Sequence, residues 1–422
     1  MTTNRQDAAI WAALAALVAA FALSHAFRTV VTLVALPLRD ELGLREDAIG
    51  IVGGAFHLAF GIMQLPVGIM LDQYGPRRTV LVAFPAAVAG AAITAMANDM
   101  PALLVGQWLV GIGCAPCFLA TLILISRSRP PSEFSRLSGI VLGIGSAGML
   151  VTGTPLAWVV ENMSWRAAFW TLAAVSAVAW AWAWAVVPGE PAGARREKAP
   201  HAAALRGIGR ILVHPHMLGM LTLGAVTYAS FISLRGLWLV PLMSGRHGFS
   251  LVESGHVALL GSIMALVGPL IAGRLDPGGG ARRLLIAGCT LAYAALFMVL
   301  ALGTTPLLDA GITLALAVLS GYMLLHYSEV REAWPPEMAG RALSIFNSAM
   351  FLGVALMQWA SGLAAAAADG PGADPVAAAF WTMAAMLLAG TVIYLLLRPA
   401  TRTTASRAGA GAGAGKDPGD AS

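Results

Sequence analysis

The sequence predicts an all-α protein embedded in a membrane, with twelve spanning helices arranged as two six-helix halves. Three observations lead there. Hydrophobic residues make up 58% of the 422 residues and charged residues 11%. A soluble domain carries about 25% charged residues, so this chain has too few polar groups to cover a solvated surface. Apolar runs long enough to cross a hydrocarbon core of ~30 Å recur along the chain. The whole pattern then repeats once, at an offset near 205 residues.

The same composition excludes other classes. Mean hydropathy is +0.76 and the isoelectric point is near 9.4, but so apolar a chain is neither disordered nor a nucleic-acid binder. The net charge of +5 matters less than where the charges sit. Three cysteines make no disulfide framework. The runs are continuous rather than alternating, which excludes a β-barrel.

The first run covers 9–36. Arg5 before it resembles the start of a signal peptide, but the run stays apolar to Leu38, too long for a cleaved segment. It is read as an uncleaved first helix. The next runs are 48–71, 79–98, 101–126, 137–160 and 166–187. A connector rich in Arg, Ala, Gly and Pro follows, and then 214–242, 252–273, 284–303, 308–329, 341–366 and 376–397. This gives an N-terminal bundle at 1–187, a cytoplasmic connector at 188–213, a C-terminal bundle at 214–400 and a disordered cytoplasmic tail at 401–422. Basic residues mark one side of this map. With the N-terminus inside, twenty of the twenty-six fall on inner segments, and Arg39, Arg45, Arg166 and Arg246 are the four on outer loops. That bias places both termini in the cytoplasm. Few lysines and many alanines suggest a bacterial genome, hence the inner membrane.

The repeat is detailed. Pro37 precedes Asp72 by the same 35 residues that separate Pro241 from Asp276, and the double arginines Arg77-Arg78 and Arg282-Arg283 follow. Gly106, Pro130-Pro131 and Arg136 recur as Gly311, Pro335-Pro336 and Arg341. The string Ala167 to Thr171 returns as Ala378 to Thr382. Six helices per unit is an even number, so the two units enter from the same side and are related by an axis along the membrane normal.

Gly68-Ile-Met-Leu-Asp72-Gln-Tyr-Gly75-Pro-Arg77-Arg78 resembles the loop signature of the major facilitator superfamily, G-x-L-x-D-R-x-G-R-[RK]. Gly273 to Arg283 is a worn second copy. The resemblance covers residues 1 to about 400 and implies a transporter with a cytoplasmic gate at Asp72, Arg77, Arg78 and Asp276. It resembles the organic-anion and organophosphate branches in particular, where arginines on helices 1 and 7 hold the substrate. Three departures stand out. Gln73 replaces the signature arginine. Gln107 stands where many relatives carry arginine in helix 4. Gly139, Gly143 and Gly145 lack the proline of drug antiporters, and their spacing predicts close helix packing.

A charge at mid-membrane costs about 2.5–3.5 kcal/mol on insertion scales. Arg28 and Arg235 both fall inside spans, about one turn apart in the repeat frame. The spans carry no central Asp or Glu, and Glu161, Glu253 and Glu329 sit near ends. Two buried guanidiniums without a carboxylate call for an anion, which arginine's planar fork binds well. The expectation is therefore a secondary carrier working by alternating access, with a small organic anion, carboxylate-like, between Arg28 and Arg235. The alternative is efflux of drugs or other lipophilic compounds on the same fold. For the arginines themselves the alternative is snorkelling, or a gate residue satisfied by helix carbonyls.

His25, His57, His256 and His326 lie in spans and are the candidate proton carriers near neutral pH. Each is also read as a neutral histidine bonded between helices. Tyr228, Trp238, Tyr322, Asn347, Gln358 and Gln64 are the candidate cavity lining. Neither a cofactor nor a metal is expected. Cys114-Ala-Pro-Cys117 lacks a redox context, no phosphate-binding glycine loop is present, and no catalytic constellation marks an enzyme. The expected partners are the substrate and membrane lipid, not nucleic acid, and the expected state is a monomer.

Overall fold

The computed structural model describes residues 2–189, 209, 211–368, 370 and 372–397, without the side chains of 2–6, 72, 131, 132, 134, 135, 270, 336, 337 and 339. Most of the connector and all of the tail lie outside the described residues. Twelve helices are long and apolar enough to cross a membrane. They are α1 (Asp7–Thr29), α2 (Glu46–Leu71), α3 (Gln73–Met96), α4 (Met100–Ser128), α5 (Arg136–Asn162), α6 (Trp165–Val186), α7 (Pro215–Trp238), α8 (Leu251–Arg274), α9 (Gly279–Ala301), α10 (Pro306–Ala333), α11 (Gly340–Ala367) and α12 (Pro375–Leu396). Large apolar side chains such as Val82 and Val178 lie exposed on the outside, where lipid would meet them.

Local chemistry sets several helix starts. The side chains of Asp99, Ser164 and Asp374 accept the backbone N–H three residues on, at 2.9, 3.0 and 3.0 Å. Ser250 and Glu253 form a reciprocal cap at the start of α8. Between α2 and α3, Gly75 turns the chain at φ +75°, a conformation that disfavours any side chain. That accounts for the glycine of the signature.

The breaks inside helices follow the repeat. The first expected helix, 9–36, is instead one helix to Thr29 and a second from Val31 to Leu42. At the equivalent level α7 widens into π-helical turns at Leu234–Trp238. Helix α4 breaks at Ala115-Pro116, where proline removes an N–H, and α10 tightens at Ser320–Tyr322, 205 residues on. Helix α5 departs from the pattern, since it is interrupted near Ala147 and Thr152–Gly153 whereas α11 runs unbroken from Pro336 to Ala367.

Small residues bring the halves together. A Cβ on Gly50 of α2 would lie 2.5 Å from the Gln358 carbonyl of α11, and one on Gly362 would lie 2.7 Å from the Glu46 carbonyl. Gly153 meets Leu259 at 2.9 Å, bringing α5 onto α8. The expected packing role of Gly139 and Gly143 does not hold, because both face open space. It holds for Gly145, which together with Gly148 presses on Phe21 and Ala22 of α1. Hydrogen bonds described between the halves include Val240 N to Thr32 Oγ1 at 3.2 Å and Val252 N to Glu161 Oε2 at 2.8 Å. Both lie toward the face opposite the N-terminus.

Candidate functional site

Arg28 is 5% exposed, near the α1 break. Its Nη2 donates to Ser24 Oγ at 3.3 Å, one turn back on α1, and its Nη1 donates to Tyr228 OH at 3.4 Å on α7. His25 Nε2 lies 3.5 Å from Nη1. The Phe60 and Phe351 rings lie side by side against the guanidinium carbon, at 4.8 and 4.7 Å, with their own centroids 4.3 Å apart. Phe60 comes from α2 and Phe351 from α11, so this cluster joins the two halves. Arg28 Nε and His25 Nδ1 are buried without a partner.

Arg235 is 3% exposed and occupies a different setting. Its Nη2 donates to the Met149 and Thr152 carbonyls at 3.0 and 3.3 Å, and Nε donates to Ser262 Oγ at 3.2 Å. The α5 interruption explains this, because carbonyls freed from the helix ladder need a donor. Nη1 remains buried without a partner. A polar relay connects the two arginines: Arg235 Nη2 reaches Thr152 Oγ1 at 3.3 Å, which lies 2.6 Å from Thr29 Oγ1, beside Arg28. Among the described residues no carboxylate pairs with either arginine.

Helices α2 and α11 carry matching stripes that meet beside Arg28. On α2 these are His57, Phe60 and Gln64, and on α11 they are Gln358, Phe351 and Asn347. Asn347 Nδ2 donates to Gln64 Oε1 at 3.2 Å, and Tyr327 OH donates to Asn347 Oδ1 at 3.3 Å. At the other end Gln358 is fully buried, with both side-chain polar atoms unpartnered. His57 Nδ1 faces the Gly53 carbonyl at 3.2 Å, while its Nε2 is free.

Other candidates fall elsewhere. Tyr322 OH lies 3.1 Å from Thr290 Oγ1 on α9. His326 stacks near Phe346 with both ring nitrogens unpartnered. His256 is exposed, outside the cluster. Trp238 Nε1 donates to Ser361 Oγ at 2.9 Å and helps to line a cavity of about 430 Å³ at the opposite face. The ion pairs Arg39–Glu46 and Arg246–Asp374 also line that cavity, at 2.9 and 2.7 Å, and neither Arg28 nor Arg235 does.

Two of the candidate gate residues, Arg77 and Asp276, are engaged within their own halves. Arg77 donates to the Val187 carbonyl and, at 2.9 Å, to the Trp184 carbonyl, capping α6. The matching cap on α12 is made by Arg283, through Tyr394 and Leu397, rather than by Arg282. Arg282 pairs with Asp276 at 2.6 Å and with both Glu332 oxygens at 2.7 and 2.9 Å. The Arg282 hydrogen bond holds the Asp276 carboxyl below its ordinary range, with the Gly278 N–H adding to it. Arg78 is exposed, and the Asp72 side chain lies outside the described residues.

Sequence reasoning missed Phe60, Phe351, Ser24, Thr152 and Ser262. Two phenylalanines in apolar helices carry no signal that separates a cation–π contact from ordinary core. The buried Asp309, bonded to His247 at 2.8 Å and 3.7 Å from Arg246, was hidden by its place at a helix start.

Comparison with known proteins agrees with this architecture. The chain is 28% identical over 155 residues to a probable anion transporter of Arabidopsis thaliana, covering 36% of this chain and 29% of that one. It is 27% identical over 154 residues to a probable sulfoacetate transporter of Cupriavidus necator, covering 36% of each. These alignments thus span about a third of the relatives' length. A solved D-xylose-proton symporter matches at TM-score 0.73 over 93% of this chain and 99% of that one; at 14% identity this speaks to the fold alone. The family model of the Major Facilitator Superfamily matches residues 13–329. With twelve helices in two related halves, the chain belongs to the Major Facilitator Superfamily, a superfamily of transporters rather than enzymes.

Proposed function

We propose that this protein is a secondary carrier for a small organic anion, held at Arg28 and Arg235 and moved by alternating access. One observation carries the reading. Two guanidiniums are buried within spans, each keeps an N–H without an acceptor, and no described carboxylate pairs with either. A bare cation in that setting is strongly disfavoured. An anion on Arg28 Nε and Arg235 Nη1 completes both. The free imidazole and amide groups of His25, His57, Gln64 and Gln358 suit hydroxyl or carbonyl groups on the rest of the substrate. The two named relatives are described as a probable anion transporter and a probable sulfoacetate transporter, which supports the class.

The site lies in a bacterial inner membrane, in a monomer with both termini in the cytoplasm. In that orientation the contacts between the halves close the outside, and the molecule faces inward. The Asp72 and Asp276 loops act at the cytoplasmic gate, closing it in the opposite state.

The test is a thermal-shift screen with acetate, succinate, gluconate, glycerol 3-phosphate, nitrate, glycerol and choline. The samples are wild type, Arg28→Gln and Arg235→Gln. A ligand at ~100 Kd adds roughly 2.7 kcal/mol. Stabilisation of wild type by one anion class, lost in both variants, is the expected result. Stabilisation by neutral or cationic compounds that both variants retain would favour efflux of lipophilic compounds.

A further inference from the structure

We propose that the Phe60–Arg28–Phe351 cluster is a lock that anion binding releases, which makes this carrier an exchanger. The inference rests on the reading of Arg28 as the anion site. Phe60 and Phe351 are positioning residues, since they act through Arg28.

The argument begins with the geometry of the seam. Arg28 and Phe60 belong to the N-terminal half, and Phe351 and Tyr228 to the C-terminal half. The two phenylalanine rings approach each other to 4.3 Å at their centroids, and the guanidinium carbon lies 4.8 and 4.7 Å from them. Tyr228 packs edge-on against Phe351 at 5.4 Å and accepts from Arg28. One cation therefore ties α1, α2, α7 and α11 together. These contacts cross the surface along which the halves must slide.

The strength of that tie depends on charge. A cation is drawn to a ring face by the ring's quadrupole, most strongly where water is absent. Among the described residues no carboxylate pairs with Arg28, and the two rings and a few hydroxyl and ring-nitrogen groups solvate it when empty. The two rings share one side of the guanidinium, so an anion has the other side and the edge where Nε is free. It then neutralises the charge without displacing a ring. Neutralisation weakens the attraction to both rings, and the seam loosens. The empty carrier is held, the loaded carrier moves, and return without an anion is slow.

The experiment uses the full chain in liposomes loaded with radiolabelled gluconate. Gluconate is chosen because it has one carboxylate and several hydroxyl groups. Efflux is measured with and without gluconate outside, for wild type, Phe60→Leu, Phe351→Leu and Phe351→Tyr. Gluconate stabilisation of each protein is measured in parallel. Wild-type efflux should accelerate at least about fivefold with external gluconate, the weight of a single cation–π contact. The leucine variants should keep gluconate stabilisation and exchange, while their net efflux rises about fivefold. The tyrosine variant, which keeps the ring, should behave as wild type. Equal net and exchange rates in wild type, or an unchanged ratio in the leucine variants, would overturn the lock.

A ligand-free arm separates the two readings if gluconate is not carried. Spin labels replace the exposed Ile140 on α5 and Ile271 on α8, with the three cysteines changed to alanine. The empty wild type should show one distance population, and both leucine variants should add a second. No change in the variants sinks the lock, whereas failure of every anion to bind sinks the carrier reading instead.

Discussion

Replacing Arg235 with methionine should remove anion binding while leaving the fold nearly as stable as before. The groups around Arg235 allow the magnitude to be worked out. Methionine fills a similar length but donates nothing. The Met149 carbonyl keeps a partner, because Thr152 Oγ1 also donates to it at 3.0 Å. Thr152 Oγ1 keeps Thr29, and Ser262 keeps the Ala258 carbonyl at 2.8 Å. Only the Thr152 carbonyl loses a listener among these groups, and an orphaned acceptor costs about 1–3 kcal/mol. Against this stands the removal of a buried cation without a counter-ion. Exchanging buried ionic groups for apolar ones is often neutral or stabilising by about 1–4 kcal/mol. The two terms nearly cancel, so Arg235→Met should unfold within about 2 kcal/mol of wild type in detergent without ligand. The same samples should lose the stabilisation by whichever anion class protects wild type. A fall in stability of more than about 3 kcal/mol would show that Arg235 is chiefly a clamp on the broken α5, and the reasoning would fail.

Two further predictions test the seam and the gate. Gly50→Leu places side-chain carbon against the Gln358 carbonyl, where a Cβ already lies at 2.5 Å. It should cost several kcal/mol, as backbone overpacking does, and reduce folded yield in fluorescence-detected size exclusion, whereas Gly143→Leu should leave the profile unchanged. The depressed Asp276 pKa means that its ion pair stabilises the fold above the unfolded pKa, with the contribution lost as pH falls through the folded value. Asp276→Asn should therefore lower the melting temperature at pH 7, and the gap to wild type should close on acidification; a gap independent of pH would contradict the assignment.

The twelve helices were legible because a bilayer imposes a length and an apolar composition on every span. Observed boundaries differ from the expected ones by a few residues, apart from the divided first helix. Arg28, His25 and Tyr228 were legible as candidates for the same reason, since a polar group in a span is conspicuous. Their meeting at one place was legible only for His25 and Arg28, which are three residues apart on one helix.

Phe60 and Phe351 show the opposite case. Nearly 300 residues separate them, and each reads as ordinary core in its own helix. They become a cation site only because α2 and α11 cross beside α1, with glycines allowing the backbones to approach. Arg235 was expected across from Arg28, but its donors go largely to an interruption in α5 that has no counterpart in α11. By itself, the sequence determined the fold class, the twofold repeat and which charges lie in the membrane, because hydrophobic length and spacing are local properties of the chain. Which groups surround each buried charge depends on helix crossings and broken turns, and those contacts between distant residues arise only when the halves pack.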